Sequence, residues 1–223
     1  MRVAVDAIVF GYARPEGVSV ALIRRKYEPF KNQWALPGGF VLPEETLEAA
    51  VKRELEEETS IRAGYLEQLY TFGNPDRDPR QRVIAVAYFG LVNTSQFRNL
   101  RASTDADDAA WFPVKSLPEL AFDHKKIIAT ALERLRNKVR YEPVGFGLLD
   151  KKFAFADLEH LYASLLDQPL NRRNFSKKIL SYGFLEETGE LSPVVGRGRP
   201  SKVYRFNMTR YRELLKKGIH FEI

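Results

Sequence analysis

The 223-residue chain contains no cysteine, which excludes a disulfide framework and any thiolate metal site and suits a cytoplasmic protein. Long apolar runs are missing as well. The longest uncharged apolar stretch, Val83 to Val92, reads as a buried strand, because a bilayer span needs about 20 residues. Asp6 interrupts the first apolar run and no small-residue cleavage site follows it, so neither a membrane segment nor a secretory leader is expected. Internal repeats and low-complexity segments are also lacking. A composition of 44% hydrophobic and 29% charged residues is that of a folded globular chain. The length suffices for one large domain or two modest ones.

Positive charge is what the chain has in excess, and it is unevenly placed. Residues 1–140 carry 21 Lys and Arg against 19 Asp and Glu, whereas residues 171–217 carry 12 against 4. A cluster of cations near the C-terminal end favours a polyanionic partner. A surface kept soluble by charge is the alternative that composition leaves open.

Hydrophobic patterning divides the chain. Arg2–Phe10 and Val18–Arg25, rich in Val, Ile and Ala and separated by Gly11–Gly17, read as paired strands. Leu47, Ala50, Val51 and Leu55 give Thr46–Thr59 the spacing of an amphipathic helix. Tyr65–Phe72 and Val83–Val92 read as strands around the charged loop Asn74–Arg80, followed by a short strand at Ala109–Pro113 and a helix at Ile127–Val139. Pro143, Gly145 and Gly147 break the pattern, which places a domain boundary between residues 140 and 141. Beyond it, Leu158, Leu161, Tyr162 and Leu165 share one helical face, and Asn171 is positioned to cap a second helix running to about Tyr182. Phe184–Glu187 and Lys202–Phe206 then read as two short strands around a Gly/Pro-rich stretch.

The densest chemical signal lies between residues 38 and 61. Glycines 38 and 39 precede Glu45, and Arg53 and Glu54 open a run through Glu57 and Glu58. Glu54, Glu57 and Glu58 stand at i, i+3 and i+4, so a helix puts three carboxylates on one patch. Such crowding repels unless a cation sits among the oxygens, and oxygen donors of this kind suit Mg²⁺ or Mn²⁺. An acidic helix face that is merely solvated is the competing reading. Paired glycines allow a tight turn and close approach of the backbone to a ligand. The stretch Gly39-x5-Glu45-x7-Arg53-Glu54-Leu55-x-Glu57-Glu58-x-Ser60-Ile61 resembles the Nudix box at every defined position but one. At that one, Ser60 stands where the family has a helix-ending Gly, a place suited to left-handed geometry.

The resemblance implies a Nudix α/β/α sandwich, a divalent-metal site at Glu54, Glu57 and Glu58 with Arg53 orienting them, and substrates in which a nucleoside diphosphate is linked to another group. Arg77, Arg80 and Arg82, in Asp76-Arg-Asp-Pro-Arg-Gln-Arg82, offer bidentate clamps for phosphate; a turn held by Asp/Arg pairing fits them equally well. Trp34 is expected in the core rather than stacked on adenine, and His124 as a contact at a helix start rather than a base.

In the tail, Arg172, Arg173, Lys177 and Lys178 surround an apolar edge of Phe175, Ile179 and Leu180. A helix of this kind packs by one face and lays its cations against phosphates. Arg197, Arg199 and Lys202 follow in Gly196-Arg-Gly-Arg-Pro200-Ser-Lys202, and arginines flanked by glycines on a narrow loop fit a minor groove. Helix, helix, strand, basic loop, strand is the order of a winged helix. A surface subdomain or dimerisation arm is the alternative.

Together with Phe122-Asp-His124, Glu142-Pro-Val-Gly-Phe146 and Asn174-Phe175, these motifs make the chain similar to the Nudix-related transcriptional regulators. That bacterial family includes repressors of NAD metabolism and sugar-utilisation regulators. The resemblance covers nearly the whole chain and implies an α+β protein, a Nudix sandwich at 1–140 followed by a winged helix-turn-helix at 141–223. It further implies a homodimer on a palindromic operator, with ADP-ribose or a similar nucleotide in the Nudix pocket releasing double-stranded DNA. Many members have lost the catalytic glutamates; this chain keeps all three, so a Mg-dependent ADP-ribose or nucleotide-sugar pyrophosphatase stands beside the regulator as the other reading.

Overall fold

The computed structural model describes residues 1–64, 66–97, 100, 106–192 and 200–223, the side chains of 106 and 107 excepted. The chain forms two compact units, 1–134 and 135–223.

The first unit is built on a seven-stranded mixed sheet. Its centre is β1 (Arg2–Ala13), which pairs in parallel with β6 (Val83–Leu91) along nearly its whole length. On its other side β1 is shared: residues 4–6 pair with β4 (Gly38–Phe40), and residues 10–13 with β2 (Gly17–Arg25). The short β3 (Trp34–Ala35) and β7 (Ala106–Pro113) both pair with β2, and β5 (Glu67–Phe72) pairs with β6. Helix α1 (Leu47–Thr59) buries Ala50, Val51 and Leu55 against Val5, Ala7 and Val9 of β1. Those strand residues alternate with Asp6, which faces the start of helix α2 (His124–Tyr141) instead. Helices therefore cover both faces of the sheet, and β1 is buried from Ala4 to Tyr12, as a two-sided strand must be.

The second unit holds a three-stranded sheet in the order β8 (Phe153–Ala154), β10 (Lys202–Phe206), β9 (Leu185–Leu191). Helices α3 (Phe155–Leu166), α4 (Arg172–Ser181) and α5 (Met208–Lys216) complete it. Its core is aromatic: Phe146 stacks on Phe206 at 4.5 Å between centroids, and Phe184 packs against Phe206, Tyr211 and Phe221. Asn171 caps α4 by accepting from Asn174 N at 3.0 Å, as its position in the sequence indicates.

Several elements depart from the sequence reading. Strands β3, β4 and β8 have two or three residues each, too few to show a period. Helix α5 has the N-cap Asn207, accepting from Arg210 N at 2.8 Å, a signal the sequence did contain. Leu180 is 40% exposed rather than part of the buried edge of α4: the helix buries only Phe175 and Ile179, four residues apart, and position 180 lies about 100° round the axis from 179.

Candidate functional site

The glycine loop is set by steric necessity. At Gly38 an added Cβ would collide with the carbonyl of Val5, and at Gly39 with the carboxylate of Glu54. Neither position needs unusual torsions; the glycines let β4 pass between β1 and α1. Gly38 N donates to Glu58 Oε2 at 2.8 Å, tying the loop to the acidic helix.

Thr46 caps α1, accepting from Ala49 N at 3.2 Å. Two turns on, Arg53 gathers the acidic side chains: Nη2 lies 2.6 Å from Glu45, and Nη1 2.7 Å from Glu54 and 3.4 Å from Glu57. The guanidinium thus supplies the positive charge that crowded carboxylates require. Hydrogen bonding to Glu45, first among its causes, pushes Arg53 above its ordinary pKa, while burial pushes Glu54 up. The sequence leads one to expect Glu57 and Glu58 both to face solvent. Glu57 does, at 48% side-chain exposure. Glu58 is 6% exposed, because the loop covers it and takes its carboxylate as acceptor. Hard carboxylate oxygens match a divalent cation in kind, but among the described residues no three such ligands converge on one point. Ser60 ends α1 with φ 61° and ψ 15°, the left-handed geometry for which the family uses glycine.

Beside the glycine loop lies a small cleft of about 70 Å³, walled by Phe40 and Phe122 and lined by Arg25, Arg77 and Arg80. Arg77 is buried and forks onto Asp123 at 2.8 and 3.2 Å, with Asp6 at 3.3 Å. Arg80 is held by Asp78 at 2.7 and 3.0 Å. Arg82, which donates to Gly73 O at 2.7 Å, does not line the cleft. Each of the three is therefore engaged within the chain, Arg77 and Arg80 with aspartates. Burial, followed by the charge of Arg77, pushes His124 down to about 3; Asp6, also buried, is pushed up to about 6. Neutral His124 accepts from Leu36 N at 2.9 Å through Nδ1, which makes it the structural contact at the start of α2 that the sequence indicates. Trp34 meets Phe112 edge-on at 4.6 Å. Sequence reasoning missed Arg25 and Phe40, which nothing local marks, and noted Phe122 only within the Phe122-Asp-His124 motif without a place in the cleft.

In the second unit, α4 exposes Arg172, Arg173 and Lys177. Arg172 Nε lies 3.1 Å from Glu159 on α3, and Lys202 Nζ 2.9 Å from Glu187 on β9. Arg172, Arg173 and Lys202 line one open groove with Ser176 and Ser201, so the structure brings helix and strand cations together. Arg197 and Arg199 lie outside the described residues.

A mixed sheet flanked by helices, with a glycine loop clasped to an acidic helix, defines a Nudix domain, here followed by a helix–sheet unit with an exposed basic helix. Residues 1–131 match the NUDIX domain, and residues 145–206 match the NrtR DNA-binding winged helix domain. The ADPR-responsive transcriptional repressor NtrR of Acinetobacter baylyi is 34% identical over 93% of this chain and 82% of its own length. The crystal structure of Shewanella oneidensis NrtR complexed with a 27mer DNA has 33% identity and a TM-score of 0.80, covering 94% of this chain and 95% of that one. An ADP-ribose pyrophosphatase of Methanocaldococcus jannaschii is 44% identical over 56% of this chain and 70% of its own length. The chain belongs to the NrtR-type family, in which a Nudix domain precedes a winged helix. Among the described residues no helix is long and apolar enough to cross a membrane.

Proposed function

We propose that the protein is a cytoplasmic transcriptional repressor that binds double-stranded DNA through its second unit and senses ADP-ribose or a related nucleotide through its Nudix unit. The observation that carries this reading is near end-to-end similarity to an ADPR-responsive repressor and to a DNA-bound NrtR. The exposed cations of α4 and β10 supply what a phosphate backbone attracts. Arg172, Arg173, Lys177 and Lys202 approach the duplex from the helix and sheet, and Arg197 and Arg199, in the intervening sequence, enter the minor groove. Recognition by a homodimer pairs two such units on a palindromic operator. In the Nudix unit, the loop at Gly38 and Gly39 places the nucleotide beside Arg77 and Arg80, and binding lowers affinity for DNA. Titration of a promoter fragment by gel shift, with and without ADP-ribose, tests the reading: the expected result is a salt-dependent complex released by the nucleotide. A complex indifferent to ADP-ribose refutes the sensing role, and absence of any complex refutes DNA binding.

Hydrolysis of the nucleotide is a second reading, favoured by the retained Glu54, Glu57 and Glu58 and by similarity to the pyrophosphatase. Those three side chains would hold Mg²⁺ or Mn²⁺, with Arg53 orienting them from behind. A bound cation there supplies charge to polarise a phosphoryl oxygen and to acidify water. Arg53 holds Glu54 and Glu57 in place by hydrogen bonds, and the Gly38 N–H fixes one oxygen of Glu58. Metal-dependent formation of AMP from ADP-ribose is the measurement that separates sensing alone from sensing with turnover.

A further inference from the structure

The open groove of the second unit combines several cations with a single acid. Phe155 and Glu159, one turn apart on α3, share its lining with Arg172, Arg173 and Ser176 of α4 and with Lys202 of β10. Among the described residues of that lining, Glu159 is the only carboxylate. Its side chain is 15% exposed, against 77% for Arg172, whose Nε stands 3.1 Å from Glu159 Oε1. Among the described residues the two Nη groups of Arg172 have no partner. Burial outweighs the attraction of Arg172 and pushes the Glu159 carboxyl above its ordinary pKa. The acid is thus held in a basic groove against its own desolvation.

Aromatic packing, rather than this ion pair, joins the two helices. Phe175 of α4 meets Phe155 and Tyr162 of α3, with ring centroids 6.1 and 5.4 Å apart. An ion pair with one member so exposed adds little to stability. Its consequence lies in the groove. Held by Nε, Arg172 is restricted in its rotamers while its outer donors remain available. An untethered arginine follows a phosphate in whatever register a duplex offers, and phosphate contacts carry no sequence information. A carboxylate set back in the groove also repels a phosphate that enters loosely.

We propose that Glu159 is a specificity-determining residue of the DNA-facing groove, holding Arg172 so that it serves a duplex bound in register and contributes little to phosphates of arbitrary sequence. The inference rests on the DNA-binding reading and gives that surface an acid that selects against loose binding. Glu159 is a positioning residue: it acts through Arg172, part of whose ordering entropy is lost before DNA arrives. Non-specific complexes depend almost wholly on phosphate charge, so they lose most when a cation is both offset and restrained.

The test is fluorescence anisotropy of the full chain and of its Glu159→Gln, Glu187→Gln and Arg172→Gln variants across a salt series. The probes are a promoter fragment and a scrambled duplex of equal length and composition. Glu187 pairs with Lys202 but lies outside the groove's lining, so its variant controls for the loss of one negative charge. Glu159→Gln is expected to bind the scrambled duplex about threefold to tenfold more tightly at about 0.1 M salt, with a salt slope steeper by up to about 0.9. It should gain less on the promoter fragment, so that the preference between the duplexes narrows. Glu187→Gln should strengthen both complexes alike and keep the preference. Added to Arg172→Gln, Glu159→Gln should leave the preference unchanged. Equal preference in the unchanged and Glu159→Gln proteins, or a narrowing that persists without Arg172, overturns the proposal and leaves DNA binding standing. Binding of neither duplex by the unchanged protein overturns the DNA-binding reading and the proposal with it. If Glu159→Gln does not fold, Arg172→Lys decides: with the charge kept and the guanidinium edge lost, the preference must narrow, and an unaltered preference overturns the proposal.

Discussion

Removing Arg173 and Lys177 together is the perturbation whose size the structure fixes best. Both are exposed on α4, and among the described residues neither enters an ion pair. Arg172 and Lys202 differ, their charges being already offset by Glu159 and Glu187. A cation without an intramolecular partner releases DNA counterions in full, contributing about 0.9 to the slope of log K against log salt. Arg173→Ala with Lys177→Ala should therefore lower the slope by about 2 per protomer. Between about 50 and about 200 mM salt, a fourfold change, that corresponds to a roughly 12-fold narrowing of the affinity gap between the unchanged protein and the double variant. Arg172→Ala should change the slope by less than about 1, because it uncovers Glu159 beside the duplex as well as removing a cation. Fluorescence anisotropy of a labelled promoter fragment across a salt series measures both. Parallel lines for the unchanged and double-variant proteins refute the assignment of α4 to the DNA-facing side.

Acid should weaken the fold partly through His124, whose pKa falls from 6.5 to about 3. Between those values the unfolded chain takes up a proton that the native protein refuses, so stability drops as pH falls, by about 1.4 kcal/mol per pH unit. Asp6, raised from 3.8 to about 6, acts oppositely and returns stability as pH falls through that lower window. His124→Gln, able to accept from Leu36 N, removes the first effect alone. It should gain on the order of 2 to 3 kcal/mol over the unchanged protein between pH 7 and about 4.5 in urea melts; a gap that does not vary with pH refutes this. Ser60→Gly should raise stability by about 0.5 to 1 kcal/mol by relieving the left-handed cap, a rise of roughly 1 to 4 °C in melting temperature; a lower melting temperature would contradict the strain argument. If the cleft turns over ADP-ribose, Glu57→Gln with Glu58→Gln should reduce Mg²⁺-dependent AMP formation to background while Gly38 keeps its acceptor; equal rates in the two proteins would remove the glutamates from the chemistry.

The sequence alone determined a good deal here, because its strongest signals are local. Helix α1 and its carboxylate spacing, the Asn171 cap, the strand at Lys202–Phe206 and the concentration of cations after residue 170 are all readable from neighbours a few positions apart. The left-handed site at Ser60 was legible too, since a helix-ending position carries its torsion requirement with it. What only the tertiary structure decided is how each charge is partnered. Glu57 and Glu58 are adjacent in sequence, yet one is solvated and the other is tied to Gly38, twenty positions earlier. Arg77 and Arg80 look alike in one short loop, but Arg77 is buried on Asp6 and Asp123 while Arg80 keeps to its neighbour Asp78. Arg25 carried no mark at all until strand pairing brought Phe122 beneath it. Periodicity and motif spacing report the backbone's local geometry, whereas burial and charge pairing depend on which distant segments the sheet places side by side.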